Sequence, residues 1–415
     1  MKGREAYPDE ELRRRIMDFI MAAGQTLLEN GAEVFRVEQT MEIMARSFHL
    51  REFHVYVLTN GIFASAGTAE ISEVRNVPVR TTHLGRVAAV NALSREIAET
   101  NMSLGEAEYR LAAAQRIPFP KEWVQLVSGM GGAFSFAMIF GGDLRSAIAA
   151  AVAGLAASGY LLLCGRYSLP GGFQKITTAS LITLVCILLC QALHTSASHA
   201  IIGALMILTP GIAFTMGIRD FVHGDYLSGT IRMIDALLIA ASIAIGTGLV
   251  LRLYSLLTGG GGRMISLTNS QIGELVGQFL LAGTGTLSFA ILFACPRRSL
   301  PTCALVGAVG WFVYELCVML GLDTAAASLL AVIPLTILTR VFAILQKTPV
   351  TVFLLSGIFP LVPGAGIYYT AYYFIQGNNA LALSNGISTF KVAVALAVGI
   401  SLVLSIPLPP RHRSG

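Results

Sequence analysis

Two Pro-Gly pairs, Pro210-Gly211 and Pro363-Gly364, lie inside apolar runs long enough to be membrane helices. Proline removes an amide donor and glycine loosens the helix, so each pair should interrupt its helix and free backbone amides and carbonyls. Hydroxyls stand near both pairs: Thr209 and Thr215 by the first, Tyr368, Tyr369 and Tyr372 by the second. Breaks at matching places in two halves of a membrane chain point to a binding site for a small polar molecule. The plainer alternative is a pair of structural kinks filled by neighbouring side chains.

Ionisable residues inside a membrane cost free energy and are functional candidates for that reason. Asp235, Glu315 and Lys391 lie within apolar runs, and Glu274 lies near the edge of one, where an interfacial place needs little desolvation. Asp235 or Glu315 would suit a substrate ammonium or a coupling proton, and Lys391 or a helix N-terminus a carboxylate. Asp235 and Lys391 fall at similar depths of corresponding runs, where they could pair. Arg219, Asp220, His223 and Asp225 form a polar loop suited to bounding a cytoplasmic gate.

These residues need elements to carry them. A crossing takes about 20 apolar residues, and ten such runs are read near 123–142, 145–165, 176–193, 199–218, 231–251, 272–295, 301–321, 324–343, 350–375 and 384–406. The first five recur as the second five at an offset of 153 residues. Phe136-Ala137 falls on Phe289-Ala290, Arg145-Ser146 on Arg298-Ser299, Pro210-Gly211 on Pro363-Gly364, and Gly246 on Gly399. Five crossings are odd in number, so the second copy is inverted, an arrangement typical of secondary transporters.

Charge divides the chain. Residues 1–122 hold 15 Lys/Arg and 17 Asp/Glu, and the other 293 residues only 14 and 7. A soluble N-terminal domain therefore precedes a membrane part. If residues 1–122 lie on one side, that side also carries Arg166, Lys175, Arg219, Arg232, Arg297, Arg298, Arg340, Lys347, Arg411 and Arg413. The opposite side has only Arg145, Arg252 and Arg263, so both termini are expected in the cytoplasm. Residues 1–5 lack a signal peptide's apolar run, which agrees. These flanks account for the net charge of +5 and give no argument for nucleic acid. The six cysteines, Cys186 and Cys190 on one helix face among them, lack a His or carboxylate cluster, so packing is expected and no metal or cofactor. No Walker sequence is present, and Gly259–Gly262 is an outer loop, not a phosphate cradle.

Within residues 1–122, helices are expected near 9–30, 33–47, 84–100 and 103–115. Strands are expected at 54–58 and 62–65 around Thr59-Asn60-Gly61, with a third over 72–79 and Pro78 at an edge. Glu33, Arg36 and Thr40 share one helix face, and Glu38 and Glu42 another. Asn91, Arg95 and Glu96 follow His83, Gly85 and Arg86. Such sets can serve a ligand or regulatory site, but ion pairs that hold helices to a sheet are the favoured reading. Ser65, Ser94, His54 and His83 form no nucleophile-elbow pattern, so enzymatic activity is not expected.

Three stretches resemble the threonine/serine exporter family: Gly31-Ala32-Glu33-Val34-x-Arg36-Val37-Glu38-x-Thr40-Met41, Thr59-Asn60-Gly61-Ile62-Phe63-Ala64-Ser65, and Asn91-x-Leu93-Ser94-Arg95-Glu96. The family usually has Pro-Thr-Gly where this chain has Thr59-Asn60-Gly61. The resemblance implies a soluble domain with five spans, fused to a second part, from about residue 270, that some members encode separately. It also implies export of threonine and serine, or of dicarboxylates as in split-subunit relatives.

The expectation is thus an α-helical polytopic membrane protein of about ten helices, a 5+5 inverted repeat, with an α+β soluble N-terminal domain. The domains are 1–122, 123–254 and 270–408. It would be a secondary exporter of a small amino acid or organic acid in the cytoplasmic membrane, with proton coupling through Asp235 or Glu315 and with room for a homo-oligomer. A membrane receptor or scaffold with a ligand-sensing N-terminal domain is the reading from another class; it needs neither repeat nor broken helices.

Overall fold

The computed structural model describes residues 10–67, 71–77, 81–167, 169–258 and 272–406. The protein is 77% helical and divides into two compact units.

The first unit comprises residues 1–119 with two short segments from later in the chain, 293–297 and 343–352. Its elements are α1 (Glu10–Glu29), α2 (Val34–Ser47), β1 (His54–Leu58), β2 (Gly61–Ala66), β3 (Ile71–Asn76), α3 (Leu84–Glu99) and α4 (Leu104–Gln115). Ile16, Phe19, Ile20, Ala23 and Leu27 recur at three- and four-residue spacing along α1 and are buried. The helix stops at Asn30-Gly31, where Gly31 takes φ +90°, a conformation that favours glycine. The sheet is antiparallel in the order β1-β2-β3. Leu58 pairs with Gly61, so the turn is Thr59-Asn60 alone and Gly61 joins β2, one residue tighter than the expected connection. Val57, Ile62, Ala64 and Ala66 face a core shared with Met17, Ile20, Met41, Met44 and Val90. Pro78 lies outside the described residues.

The second unit holds α5 (Glu122–Ile139), α6 (Leu144–Tyr167), α7 (Gly171–Ala192), α8 (Ala197–Leu205), α9 (Gly211–Val222) and α10 (Tyr226–Thr258). It continues with α11 (Ile272–Leu292), a 3-10 turn at Arg297–Ser299, α12 (Leu300–Met319) and α13 (Thr324–Leu345). The last elements are α14 (Val350–Gly357), whose first turn belongs to the first unit, α15 (Gly364–Ile375) and α16 (Asn379–Ser405). Helices α7 and α13 begin and end 153 residues apart, as do α9 and α15. Helices α7, α10 and α16 each start about five residues before the expected run, because polar residues such as Gln174, Ser228 and Asn385 extend the helix beyond its apolar stretch.

Among the described residues, seven helices are long and apolar enough to cross a membrane. The burial pattern agrees. Ala133, Ala147, Ala150, Ala153 and Ala157 are fully buried, whereas Leu237, Leu238, Leu249 and Leu253 of α10 are exposed. Small residues inside and large apolar ones outside suit helices packed in lipid, where close backbone approach drives association. A Cβ on Gly154 would lie 2.6 Å from Ala133 Cβ, and one on Gly307 2.0 Å from Thr286 Oγ1, the same contact 153 residues on. This is a multi-pass membrane protein.

Candidate functional site

Both Pro-Gly pairs interrupt a helix. Pro210 caps α9 and Pro363 caps α15, each without a side-chain cap. The connection from α8 turns through Leu208 N–H, which donates to Leu205 O at 2.8 Å. That from α14 turns through Leu361 N–H to Ile358 O at 2.9 Å and Gly364 N–H to Val362 O at 2.7 Å. The first helical bonds are Phe214 N–H to Pro210 O (2.9 Å) and Ile367 N–H to Pro363 O (3.0 Å). Amides before those bonds have no acceptor within their helix and give each helix start a partial positive charge.

The two breaks abut. A Cβ on Gly211 would fall 1.9 Å from Val362 Cγ1 and 3.6 Å from Gly364 N. One on Gly364 would fall 2.9 Å from Thr209 Oγ1 and 3.1 Å from Met206 Sδ. Val362 follows Thr209, and Gly364 follows Gly211, by the same 153 residues, so the two contacts are one contact with the halves exchanged. The α5–α11 crossing repeats this. A Cβ on Gly132 would lie 3.2 Å from the Phe289 ring and one on Gly285 3.2 Å from the Phe136 ring. Gly131 faces Ser288 Oγ, and Ser135 Oγ is hydrogen-bonded to Thr284 Oγ1 at 2.9 Å. Phe136 and Phe289, one offset apart, touch edge to face at 5.5 Å, and Phe359 stacks on Phe289 at 3.6 Å.

Thr209 donates its hydroxyl to Met206 O at 3.0 Å and keeps its lone pairs toward the break. Thr215, one turn below Gly211, is fully buried, and its Oγ1 has no hydrogen-bond partner. On α15 a tyrosine ladder runs away from the break: Tyr368 and Tyr372 at 5.7 Å, Tyr369 and Tyr373 at 6.1 Å. Where α15 has Tyr372 and Tyr373, α9 has Arg219 and Asp220, and Arg232 of α10 pairs with Asp220 at 2.9 Å.

The charged candidates are dispersed. Lys391 is exposed on α16, and among the described residues it carries no ion pair. Asp235 instead lies in electrostatic reach of Lys175 on α7. Glu315 is half-buried on α12 beside Tyr314. Glu274's side chain lies outside the described residues.

In the first unit the motif residues mostly hold structure. Glu38 Oε1 accepts Val57 N–H at 2.9 Å and so occupies a donor of the edge strand β1. Arg36 donates to Gln39 Oε1 at 3.0 Å, Glu96 pairs with Arg110, and Asn91 is half-buried on α3. Glu33 stands at the N-cap of α2 without a side-chain cap bond. Arg95 reaches Lys347 O at 2.5 Å. The start of α3 binds a second late segment: Leu84 N–H donates to Phe293 O and Gly85 N–H to Ala294 O, both at 2.9 Å. A Cβ on Gly85 would sit 2.9 Å from Ala294 O, so this approach needs glycine.

His83 caps the same helix. Its Nδ1 accepts Arg86 N–H at 3.2 Å, and its Nε2 lies 3.2 Å from Pro118 O. Only the neutral ring with its proton on Nε2 satisfies both. Burial, helped by the Arg86 guanidinium, holds the imidazole below its usual range. Arg86 Nε donates to Ile117 O at 3.0 Å. Ile117-Pro118 and Phe293-Ala294 thus meet on one four-residue stretch, His83–Arg86.

Two family models match the chain. One, described as "Putative threonine/serine exporter", covers residues 18–254, more than half of the chain. The chain belongs to the threonine/serine exporter family. The second model, "Threonine/Serine exporter, ThrE", covers residues 278–406. A "Probable threonine/serine exporter" of Mycobacterium tuberculosis is 23% identical over 422 residues, covering 98% of this chain and 79% of the relative. The "Threonine/serine exporter" of Corynebacterium glutamicum is 23% identical over 414 residues, covering 95% and 81%. No solved structure matches.

For this exporter-family chain, sequence reasoning picked out Thr209, Pro210, Gly211, Pro363, Gly364 and Tyr368 as one set, and the structure places the two breaks against each other. It did not single out Val362, the partner of Gly211, or Thr389, which faces Gly366. The 153-residue register carried a signal for both. Val362 aligns with Thr209, and Thr389 is a hydroxyl where the first half has Ala236.

Proposed function

We propose that the protein is a secondary exporter of threonine and serine that alternates access around the abutting Pro-Gly breaks. The observation that carries this reading is the exchanged pair of contacts, Gly211 on Val362 and Gly364 on Thr209. Contacts that map onto themselves when two halves are exchanged are what a two-fold axis requires. The matching element bounds add support. On this reading α5 and the two broken pairs, α8–α9 and α14–α15, join the seven long helices to make ten crossings. The repeat is 5+5 and inverted, with its axis in the membrane plane. The first unit and both termini lie in the cytoplasm, as the Lys/Arg distribution favours.

The substrate assignment follows the names of the two relatives. A compact zwitterion suits a site with two helix starts and hydroxyls, because the dipoles can neutralise a carboxylate without the cost of a buried ion. Asp235 remains the candidate for proton coupling. The test is efflux of labelled threonine, serine and succinate from liposomes containing the purified chain. Efflux of the two amino acids is expected. Efflux of succinate alone would refute the substrate assignment.

A further inference from the structure

We propose that the substrate carboxylate is held by the second half alone, in the first turn of α15, with the Thr389 hydroxyl as its side-chain ligand; this rests on the export reading above. Thr389 is 6% exposed, and its Oγ1 has no hydrogen-bond partner. A helical threonine ordinarily returns its hydroxyl to the carbonyl four residues back, as Thr336, Thr370 and Thr183 do here. Thr389 does not. A buried hydroxyl without a partner is unfavourable, and a ligand supplies the missing bond.

Its direction is set by Gly366. A Cβ at that position would lie 2.2 Å from Thr389 Oγ1, so the hydroxyl occupies the space that any other residue's side chain would fill. Gly366 is the third residue of the twelve-residue α15. The amides of Ala365 and Gly366 precede the first intrahelical bond, from Ile367 N–H, while Gly364 N–H is already spent on Val362 O. The positive end of the α15 dipole thus offers two amides, with the Thr389 hydroxyl beside Gly366, and such donors suit a carboxylate. Thr209 Oγ1 lies on the Gly364 side of the same helix start, 2.9 Å from where a Cβ on Gly364 would fall.

The first half lacks this particular pair, although it has its own unpartnered buried hydroxyl at Thr215. The equivalents of Gly366 and Thr389 are Ala213 and Ala236, which offer a methyl group in place of each feature. Lys391, two residues beyond Thr389, is exposed and belongs to another face. The carboxylate is thus bound asymmetrically in a pseudo-symmetric frame.

The experiment uses the full chain in liposomes loaded with labelled threonine, comparing parent, Thr389→Ser, Thr389→Val and Gly366→Ala. Thr389→Val is expected to raise the half-saturating threonine concentration about tenfold, equivalent to about 1.4 kcal/mol, at a near-parental maximal rate. Gly366→Ala should match it, and Thr389→Ser should restore parental behaviour. In detergent, added threonine should raise the melting midpoint of the parent and of Thr389→Ser at about tenfold lower concentration than that of Thr389→Val, a binding readout independent of transport. The alcohol analogue of threonine, which lacks the carboxylate, should raise none of them. Parental half-saturation in Thr389→Val overturns the proposal alone. So does stabilisation of Thr389→Val at the same threonine concentrations as the parent, or a Thr389→Ser protein as impaired as Thr389→Val. A parent that moves neither threonine nor serine overturns the export reading and this proposal with it.

Discussion

Replacing Gly211 by alanine places a methyl carbon 1.9 Å from Val362 Cγ1 and 3.2 Å from Val362 Cβ. Apolar carbons rest at about 3.5–4.0 Å, so the two breaks must separate by more than an ångström or Val362 must change rotamer. Val362 is buried and β-branched, which makes the second route costly. Overpacking of this kind costs about 1–3 kcal/mol, and the stiffer unfolded chain returns about 0.4–1 kcal/mol. A net loss of roughly 1–2 kcal/mol is expected. Gly364→Ala meets Thr209 Oγ1 at 2.9 Å and the flexible Met206 thioether at 3.1 Å, so it should cost less, about 0–1 kcal/mol. The double variant Gly211→Ala/Val362→Ala removes the clash and should recover stability. The measurement is reversible unfolding of the purified chain by a denaturing detergent, closed as a double-mutant cycle. A coupling of at least about 1 kcal/mol is expected between residues 211 and 362. Additivity within about 0.5 kcal/mol would show that the two breaks do not touch in the functional protein, and the shared site would fall with that contact.

Four further outcomes test other parts of the structure. His83 is held neutral when folded, so its contribution to stability is complete above its unfolded pKa of about 6.5 and declines as pH falls from there toward the depressed folded value. His83→Asn keeps an N-cap without a titrating ring, and it should flatten that acid-side decline in unfolding curves between pH 7.5 and 5; an unchanged slope would exclude His83. Ala294 adopts φ +49° where its first-half equivalent is Gly141, so Ala294→Gly should stabilise by about 1 kcal/mol, whereas Gly85→Ala should destabilise through its 2.9 Å approach to Ala294 O; thermal midpoints check both. His194 and Lys347 are exposed and 153 residues apart, so single cysteines there, in a cysteine-free background, should label from opposite sides of the membrane with an impermeant thiol reagent. Labelling from one side would refute the inversion. Asp235→Asn should leave expression near parental and abolish efflux driven by a pH gradient; parental rates from pH 5.5 to 8 would remove Asp235 as the coupling group.

Much of this architecture was legible in local chemistry. Proline lacks the amide a helix interior needs, so Pro210 and Pro363 announced the two helix breaks wherever they lay in space. Apolar length announced the long helices, and the Asn60-Gly61 signal announced the hairpin. Phe136, Pro210 and Gly246 recur in register at Phe289, Pro363 and Gly399, and that recurrence is what pointed to a repeat. Periodicity places a residue on a face of its own helix, however, and says nothing of which helix that face meets. The packing of α9 against the α14–α15 connection therefore had to come from the structure, and with it the pairing of Gly211 with Val362. The same limit explains Asp235 and Lys391. Similar depth along the chain suggested a pair, but the faces diverge, leaving Lys391 exposed and bringing Lys175 toward Asp235. Thr389 shows the limit most simply. Its hydroxyl is informative only because it lacks a bond and faces Gly366, and an unmade hydrogen bond is a property of three-dimensional packing that no residue type records.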